Sequence, residues 1–252
     1  MCGIIGYIGE RVAVPILLGG LQRLEYRGYD SAGIALIEDG TLYRVRGKGK
    51  VSGLATRMDG QQCTSTIGMG HTRWATHGEA SEANAHPHAS QNGAVMVVHN
   101  GIIENYYTLR EQLKPQGYHF TSETDTEVVA HLIEDAYQGD LAEAVKTALR
   151  KVQGTYGLVV MHAEHSHELV AARRGSPMCL GIGEGETLVA SDVSAFLNRT
   201  DQVVYLEDND VVQVNRHGFS IDTLADEPVE RHTQQIDWEA DAVERHDYPH
   251  FM

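Results

Sequence analysis

An α+β architecture, two antiparallel sheets covered by helices, is predicted by three observations on the 252-residue sequence. Apolar runs of strand length recur from the first residues to about residue 214, helical periodicity is confined to one early segment and the middle, and the last third is a succession of short strands divided by glycine and acidic turns. No internal repeat or low-complexity linker divides residues 1 to about 225, so these elements share one core.

Residues 2–8 are a short apolar run with glycines and read as a strand. Val14, Leu17, Leu18, Leu21 and Leu24 then fall at helical spacing, with Pro15 in the first turn, where its missing N–H costs nothing. Runs 32–37 and 41–46 flank Glu38-Asp39-Gly40, whose Asp-Gly pair supplies the positive φ angles of a tight hairpin. Runs 66–70 and 94–99 read as strands, whereas 107–113, 127–137 and 141–152 carry helical periodicity. Strands are expected at 156–163, 168–172, 178–182, 187–190, 202–206 and 210–214. From about Leu224 the chain turns acidic and polar, and its end reads either as a severed linker or as a solvated tail. The boundaries are set at 1–240 for the domain and 241–252 for the start of a linker.

A formal net charge of -15 disfavours binding to phosphate backbones and anionic lipids, which excludes nucleic acid and membrane as default partners and points to a small substrate. The N-terminus lacks a basic segment followed by a long apolar run, and no stretch approaches a membrane span. Cys2, Cys63 and Cys179 have neither ligand nor framework spacing, which suits a reducing compartment, by default the cytoplasm. Cys63 and Cys179 have no assigned role, and the histidines of 162–167 read as a solvated loop, not metal ligands.

Cys2 organises the chemistry. Removal of Met1 makes it the first residue, so one residue carries a thiol and an α-amine of pKa near ~8 that can take the thiol proton. The bland alternative is a small buried hydrophobe in a first strand. Four polar clusters at apparent strand ends accompany it. His71-Thr72-Arg73-Trp74-Ala75-Thr76-His77-Gly78 opens into a small-residue, lid-like loop ending at Asn84-Ala85-His86-Pro87-His88. Asn100-Gly101 follows an apolar strand and offers an amide donor beside a backbone N–H, an oxyanion hole if it is not merely a turn. Ser122-Glu123-Thr124-Asp125-Thr126-Glu127 offers helix caps or a carboxylate, and Tyr26-Arg27-Gly28-Tyr29-Asp30-Ser31 is a charged turn. Their conjunction with an N-terminal thiol is the complement that amide hydrolysis requires.

Those strings, with Cys2-Gly3-Ile4-Ile5-Gly6 and His99-Asn100-Gly101-Ile102-Ile103-Glu104-Asn105, resemble the glutaminase half of the glucosamine-6-phosphate synthase family, in order and over nearly the whole chain. The resemblance implies a four-layer αββα sandwich, the N-terminal-nucleophile hydrolase fold of class II glutamine amidotransferases. It further implies hydrolysis of L-glutamine to glutamate and ammonia through a cysteinyl thioester, as the ammonia supply of amino-sugar (hexosamine) biosynthesis. By the same resemblance Cys2 is the nucleophile and Asn100 and Gly101 hold the oxyanion. Arg73 and Asp125 grip the α-carboxylate and α-ammonium, Trp74, Thr76 and His77 complete the glutamine site, and Arg27 and His86 support it. No metal or organic cofactor is implied. The family continues into a sugar-phosphate isomerase half that receives the ammonia and through which a homodimer would form, and the chain stops where that half is expected. Other readings stay open: another class II glutaminase, a glutamine-sensing module, or an N-terminal-cysteine hydrolase of penicillin or bile-salt amides.

Overall fold

The computed structural model describes residues 2–75 and 78–237; Met1, Thr76, His77 and the linker expected over 241–252 lie outside the described residues. Two antiparallel sheets face one another. Strands β1 (Gly3–Gly9), β2 (Ser31–Glu38), β3 (Thr41–Lys48), β4 (Ile67–Arg73), β9 (Cys179–Gly183), β10 (Glu186–Ala190), β11 (Gln202–Tyr205) and β14 (Gln234–Gln235) form an eight-stranded sheet of order β14-β11-β9-β10-β1-β4-β2-β3. Strands β5 (His88–Ala89), β6 (Val95–Ile103), β7 (Gly154–His162), β8 (Leu169–Arg174), β12 (Asp210–Asn215) and β13 (Gly218–Thr223) form the six-stranded sheet, ordered β13-β12-β8-β7-β6-β5.

Helices α1 (Ala13–Leu24) and α2 (Val51–Met58) cover the outer face of the larger sheet, and α3 (Tyr106–Leu113), α4 (Glu127–Ala136) and α5 (Leu141–Leu149) cover that of the smaller. The result is the expected αββα sandwich. Its middle layer, between the sheets, packs Ile4, Ile8, Ile67, Met69, Met96, Val98, Val159 and Leu180. Such strands are buried on both faces, which is why β1 reads as an unbroken apolar run instead of an alternating one.

The apolar stripe of α1 docks as its spacing predicts, with Leu17, Leu21 and Leu24 fully buried. Gly20 lets the helix approach β1, since a Cβ there would lie 2.2 Å from the Cδ1 of Ile5. In the β2–β3 hairpin Asp39 and Gly40 have φ of 48° and 75°, and Glu38 pairs with Thr41, as the Asp-Gly signal requires.

The two-residue strands β5 and β14 have no counterpart among the expected elements, and three further elements depart from expectation. Helix α2 has only three buried apolar residues, Val51, Leu54 and Met58, and is too short for its period to stand out. Strand β13 returns along β12 as an edge strand carrying only Phe219 and Ile221 inward. Strand β6 does not end at residue 99; it stays paired with β7 through Ile103, so Asn100-Gly101 lies within a strand and not in a turn.

Candidate active site

Period-two alternation carries the middle layer outward to one end of the sandwich, where its apolar residues give way to polar ones. On β4 the inward series runs Ile67, Met69, His71, Arg73, and on β6 it runs Met96, Val98, Asn100. On β1, Ile8, Gly6 and Ile4 precede Cys2 in the same phase. The pairing Ile4 to His71 sets β1 and β4 in register, so thiol, imidazole, guanidinium and amide meet at one place.

The Trp74 N–H donates to Cys2 Sγ at 3.2 Å, and Sγ lies 3.5 Å from the Trp74 carbonyl. Burial pushes the Cys2 thiol up; the Trp74 N–H and the Arg73 charge oppose that shift, and Asp30 adds to it. The thiol is therefore not stored as a thiolate, and chemistry at sulfur needs a base.

Asn100 Nδ2 donates to the Cys2 carbonyl at 3.2 Å, while its Oδ1 lies 3.0 Å from His71 Nε2. The same Nε2 is 3.0 Å from the His99 carbonyl. His71 is fully buried, and desolvation lowers its pKa to about 3, so the ring is neutral. Because the His99 carbonyl can only accept, the hydrogen sits on Nε2. That assigns the Asn100 amide one orientation, oxygen toward His71 and NH2 toward Cys2. His86 stacks on His71 with ring centroids 4.1 Å apart, takes the His99 N–H on Nδ1 at 3.3 Å, and meets His88 edge-on. Burial lowers the pKa of all three further histidines, making an uncharged imidazole floor beneath the cavity.

Arg73 is 3% exposed and donates from Nη1 to the Glu79 carbonyl at 3.2 Å and from Nη2 to the Gly78 carbonyl at 3.1 Å, with Asp30 Oδ1 3.7 Å away. Asp30 also accepts the Ala75 N–H, so this carboxylate ties the segment after β4 to the turn before β2. Asp125 is buried just before α4, yet it caps nothing there: its Oδ2 accepts the Ile103 N–H at 2.7 Å. Gly101 has φ of 133°, and a Cβ would lie 2.2 Å from the Thr155 carbonyl oxygen, so no other residue fits without moving β7.

Arg27 is directed at Ser191, donating to its carbonyl and hydroxyl at 3.2 and 3.3 Å, with Asp192 3.7 Å away. Ser191 Oγ in turn accepts the Ile4 N–H at 3.0 Å, so Arg27 steadies the strand two residues beyond the thiol. Trp74 is 54% exposed and lies on Gly28, where a Cβ would come within 2.5 Å of the indole.

Cys2, Arg27, Arg73, Trp74, His86, Asn100, Gly101 and Asp125 thus line one cavity of about 400 Å³, within the range of small-molecule sites. Thr76 and His77 lie outside the described residues. Cys63 donates to Glu38 at 2.7 Å and Cys179 is buried in the outer core, both away from the cavity. Sequence reasoning placed His71 and Asp30 in the polar clusters but gave neither a role of its own, although the spacing of His71 and Arg73 on one strand carries the signal for the first.

An N-terminal-nucleophile hydrolase sandwich is the class that the paired sheets and their flanking helices define. The family described as glutamine amidotransferase domain matches residues 54–233, and the chain belongs to it. Among curated relatives, glutamine–fructose-6-phosphate aminotransferase (isomerizing) of Thermus thermophilus is 50% identical over 100% of this chain and 42% of its own length. The enzyme of the same name from Clostridium tetani is 48% identical over 100% of this chain and 41% of its own length. The chain therefore spans about two fifths of these relatives. Among solved structures, glutamine phosphoribosylpyrophosphate amidotransferase from B. subtilis, complexed with ADP and GMP, superposes with a TM-score of 0.76 at 28% identity, over 88% of this chain and 49% of that one.

Proposed function

We propose that this domain hydrolyses L-glutamine to glutamate and ammonia through a thioester on Cys2, and that it supplies ammonia to the amination of a sugar phosphate, as the names of its relatives indicate. The observation that carries the reading is the convergence, in one cavity, of a thiol, an oriented amide donor, a guanidinium and a carboxylate.

In this reading Met1 is removed and the α-amine of Cys2 accepts the thiol proton as sulfur attacks the side-chain carboxamide of glutamine. The tetrahedral oxyanion is held by Asn100 Nδ2 and the Gly101 N–H, the first aimed by His71 and the second by the positive φ of Gly101. Collapse expels ammonia, which takes its proton from the α-ammonium; water then attacks the thioester and releases glutamate. A raised thiol pKa suits this sequence, because proton transfer to the amine is then coupled to attack instead of preceding it.

Arg73 receives the α-carboxylate. In the free domain it donates to the Glu79 and Gly78 carbonyls with Asp30 3.7 Å away, and an anionic acceptor makes bonds roughly twice as strong as a neutral one, so ligand binding is coupled to the segment at Gly78 and Glu79. Asp125, held by the Ile103 N–H, faces the α-ammonium. Thr76 and His77 are assigned to the same site. Transfer of ammonia to fructose 6-phosphate belongs to a sugar-phosphate isomerase half in a longer protein, with residues 241–252 as the connection, and to a cytoplasmic setting.

The test compares the mature protein with a form that retains Met1. Ammonia release from glutamine by the mature form, a mass increase on Cys2 with a glutamine-analogue electrophile, and near inertness of the Met1-retaining form are expected. Equal turnover by both forms overturns the mechanism.

A further inference from the structure

The turn joining β7 to β8 lies at the far end of the smaller sheet. β7 reaches the cavity at Thr155 and ends at His162, so at ~3.3 Å per residue this turn is on the order of 25 Å from the thiol. Its backbone is pinned, with His165 N–H donating to the His162 carbonyl at 3.0 Å and Glu168 N–H to the His165 carbonyl at 3.3 Å. One ligating atom from each of His165, His167 and Glu168 lies within 4.8 Å of the others.

The hydrogen bonding around His165 is directional. Tyr137 has one hydroxyl hydrogen, which it gives to Glu164 Oε2 at 3.0 Å, so its oxygen accepts from His165 Nε2–H at 2.8 Å. Tyr137 is itself fixed by stacking on His162, centroids 4.0 Å apart. A neutral His165 ring with its hydrogen on Nε2 has its lone pair on Nδ1. That lone pair faces Glu168 Oε1 at 2.5 Å. At this distance the pair shares a proton, which a metal ion held by both atoms would displace.

We propose that this turn binds a divalent transition-metal ion of the zinc type, through His165 Nδ1, one ring nitrogen of His167 and the Glu168 carboxylate, with water completing the coordination. Two imidazoles and a carboxylate suit zinc, cobalt or nickel better than magnesium or calcium. The Nε2–H of His165 already has the outer partner that metal-bound histidines commonly use, here Tyr137 backed by Glu164. Bonds of about 2.0–2.1 Å require the His165–Glu168 contact to open and His167 to draw in, and His167 is exposed and can move. The acidic chain, net charge -15, favours the cation.

The experiment uses Zn²⁺ with a chromophoric chelator as competitor, and Co²⁺ for its visible spectrum, on protein carrying Cys2→Ala and Cys63→Ser so that thiols do not compete. One ion per chain with a dissociation constant of about 10 μM or tighter is expected, weakened about tenfold or more by His167→Ala and by Glu168→Gln. Both changes sit in a surface turn, so with Cys2 present either variant should hydrolyse glutamine like its parent, which separates this proposal from the glutaminase reading. Binding no tighter than about 1 mM, or binding that survives His167→Ala, means that the 2.5 Å contact holds only a proton and overturns the proposal.

Discussion

Asn100→Ala separates catalysis from structure more cleanly than any other change at the site. The side chain makes two hydrogen bonds, to the Cys2 carbonyl at 3.2 Å and from His71 at 3.0 Å. Truncation orphans no buried donor, because His71 Nε2–H keeps the His99 carbonyl, and the Cys2 carbonyl borders a cavity that water enters. At about 0.5–1.5 kcal/mol net per bond, the loss of stability is about 1–3 kcal/mol, which urea unfolding measures. Loss of an oxyanion donor costs about 2.7–4 kcal/mol in the transition state, or about 100 to 1,000-fold in kcat. KM for glutamine should barely move, since the amide contacts the enzyme's own carbonyl in the free state and the substrate only once negative charge develops. The assay is steady-state glutamate release at fixed pH, with folding checked under the same conditions. A kcat within about tenfold of the parent, or a raised KM with unchanged kcat, would refute the assignment of Asn100 to the oxyanion.

Arg73→Lys keeps the charge but loses the planar fork; KM for glutamine should rise at least about tenfold with little change for amides lacking the amino-acid head, and a uniform loss on both would place Arg73 in structure alone. Gly101→Ala forces a Cβ onto the Thr155 carbonyl at a φ of 133°, so unfolding free energy should fall by more than ~2 kcal/mol, and a thermal midpoint unchanged within about 2 °C would contradict that geometry. Stability should also depend on pH through His71, His86, His88 and His99, all of whose pKa values are lowered by burial. Below the unfolded value near ~6.5 the unfolded chain binds protons that the folded chain refuses, so their contribution is complete above that pH and declines as pH falls toward the folded values, His71's being about 3. Each such histidine contributes a slope of up to about 1.4 kcal/mol per pH unit in that window, and unfolding measured between pH 7 and 5 that shows no slope would refute neutral burial.

The legible and illegible parts of this sequence divide along a physical line. Strands, hairpin and the α1 stripe announced themselves because each reflects a local rule: a period, an Asp-Gly turn, a proline placed in a first turn. Asn100-Gly101 misled because local chemistry favours a turn there, whereas nine residues of pairing with β7 hold it as strand and make Gly101's positive φ a feature of the site. At Asp125 the local sequence leaves cap and free carboxylate both open, and only the third dimension supplies the Ile103 N–H that claims it. Arg27 reads from the sequence only as a support of the site, and how it supports is a matter of the third dimension: its guanidinium meets Ser191 and acts on the strand that bears the thiol. His71 was visible as a letter but not as a part, since its work is to fix which way a neighbouring amide points, and that requires knowing that two strands place them 3.0 Å apart. Residues that touch a ligand can be read from chemistry and spacing, whereas residues that aim them depend on register, and register is written in the whole sheet.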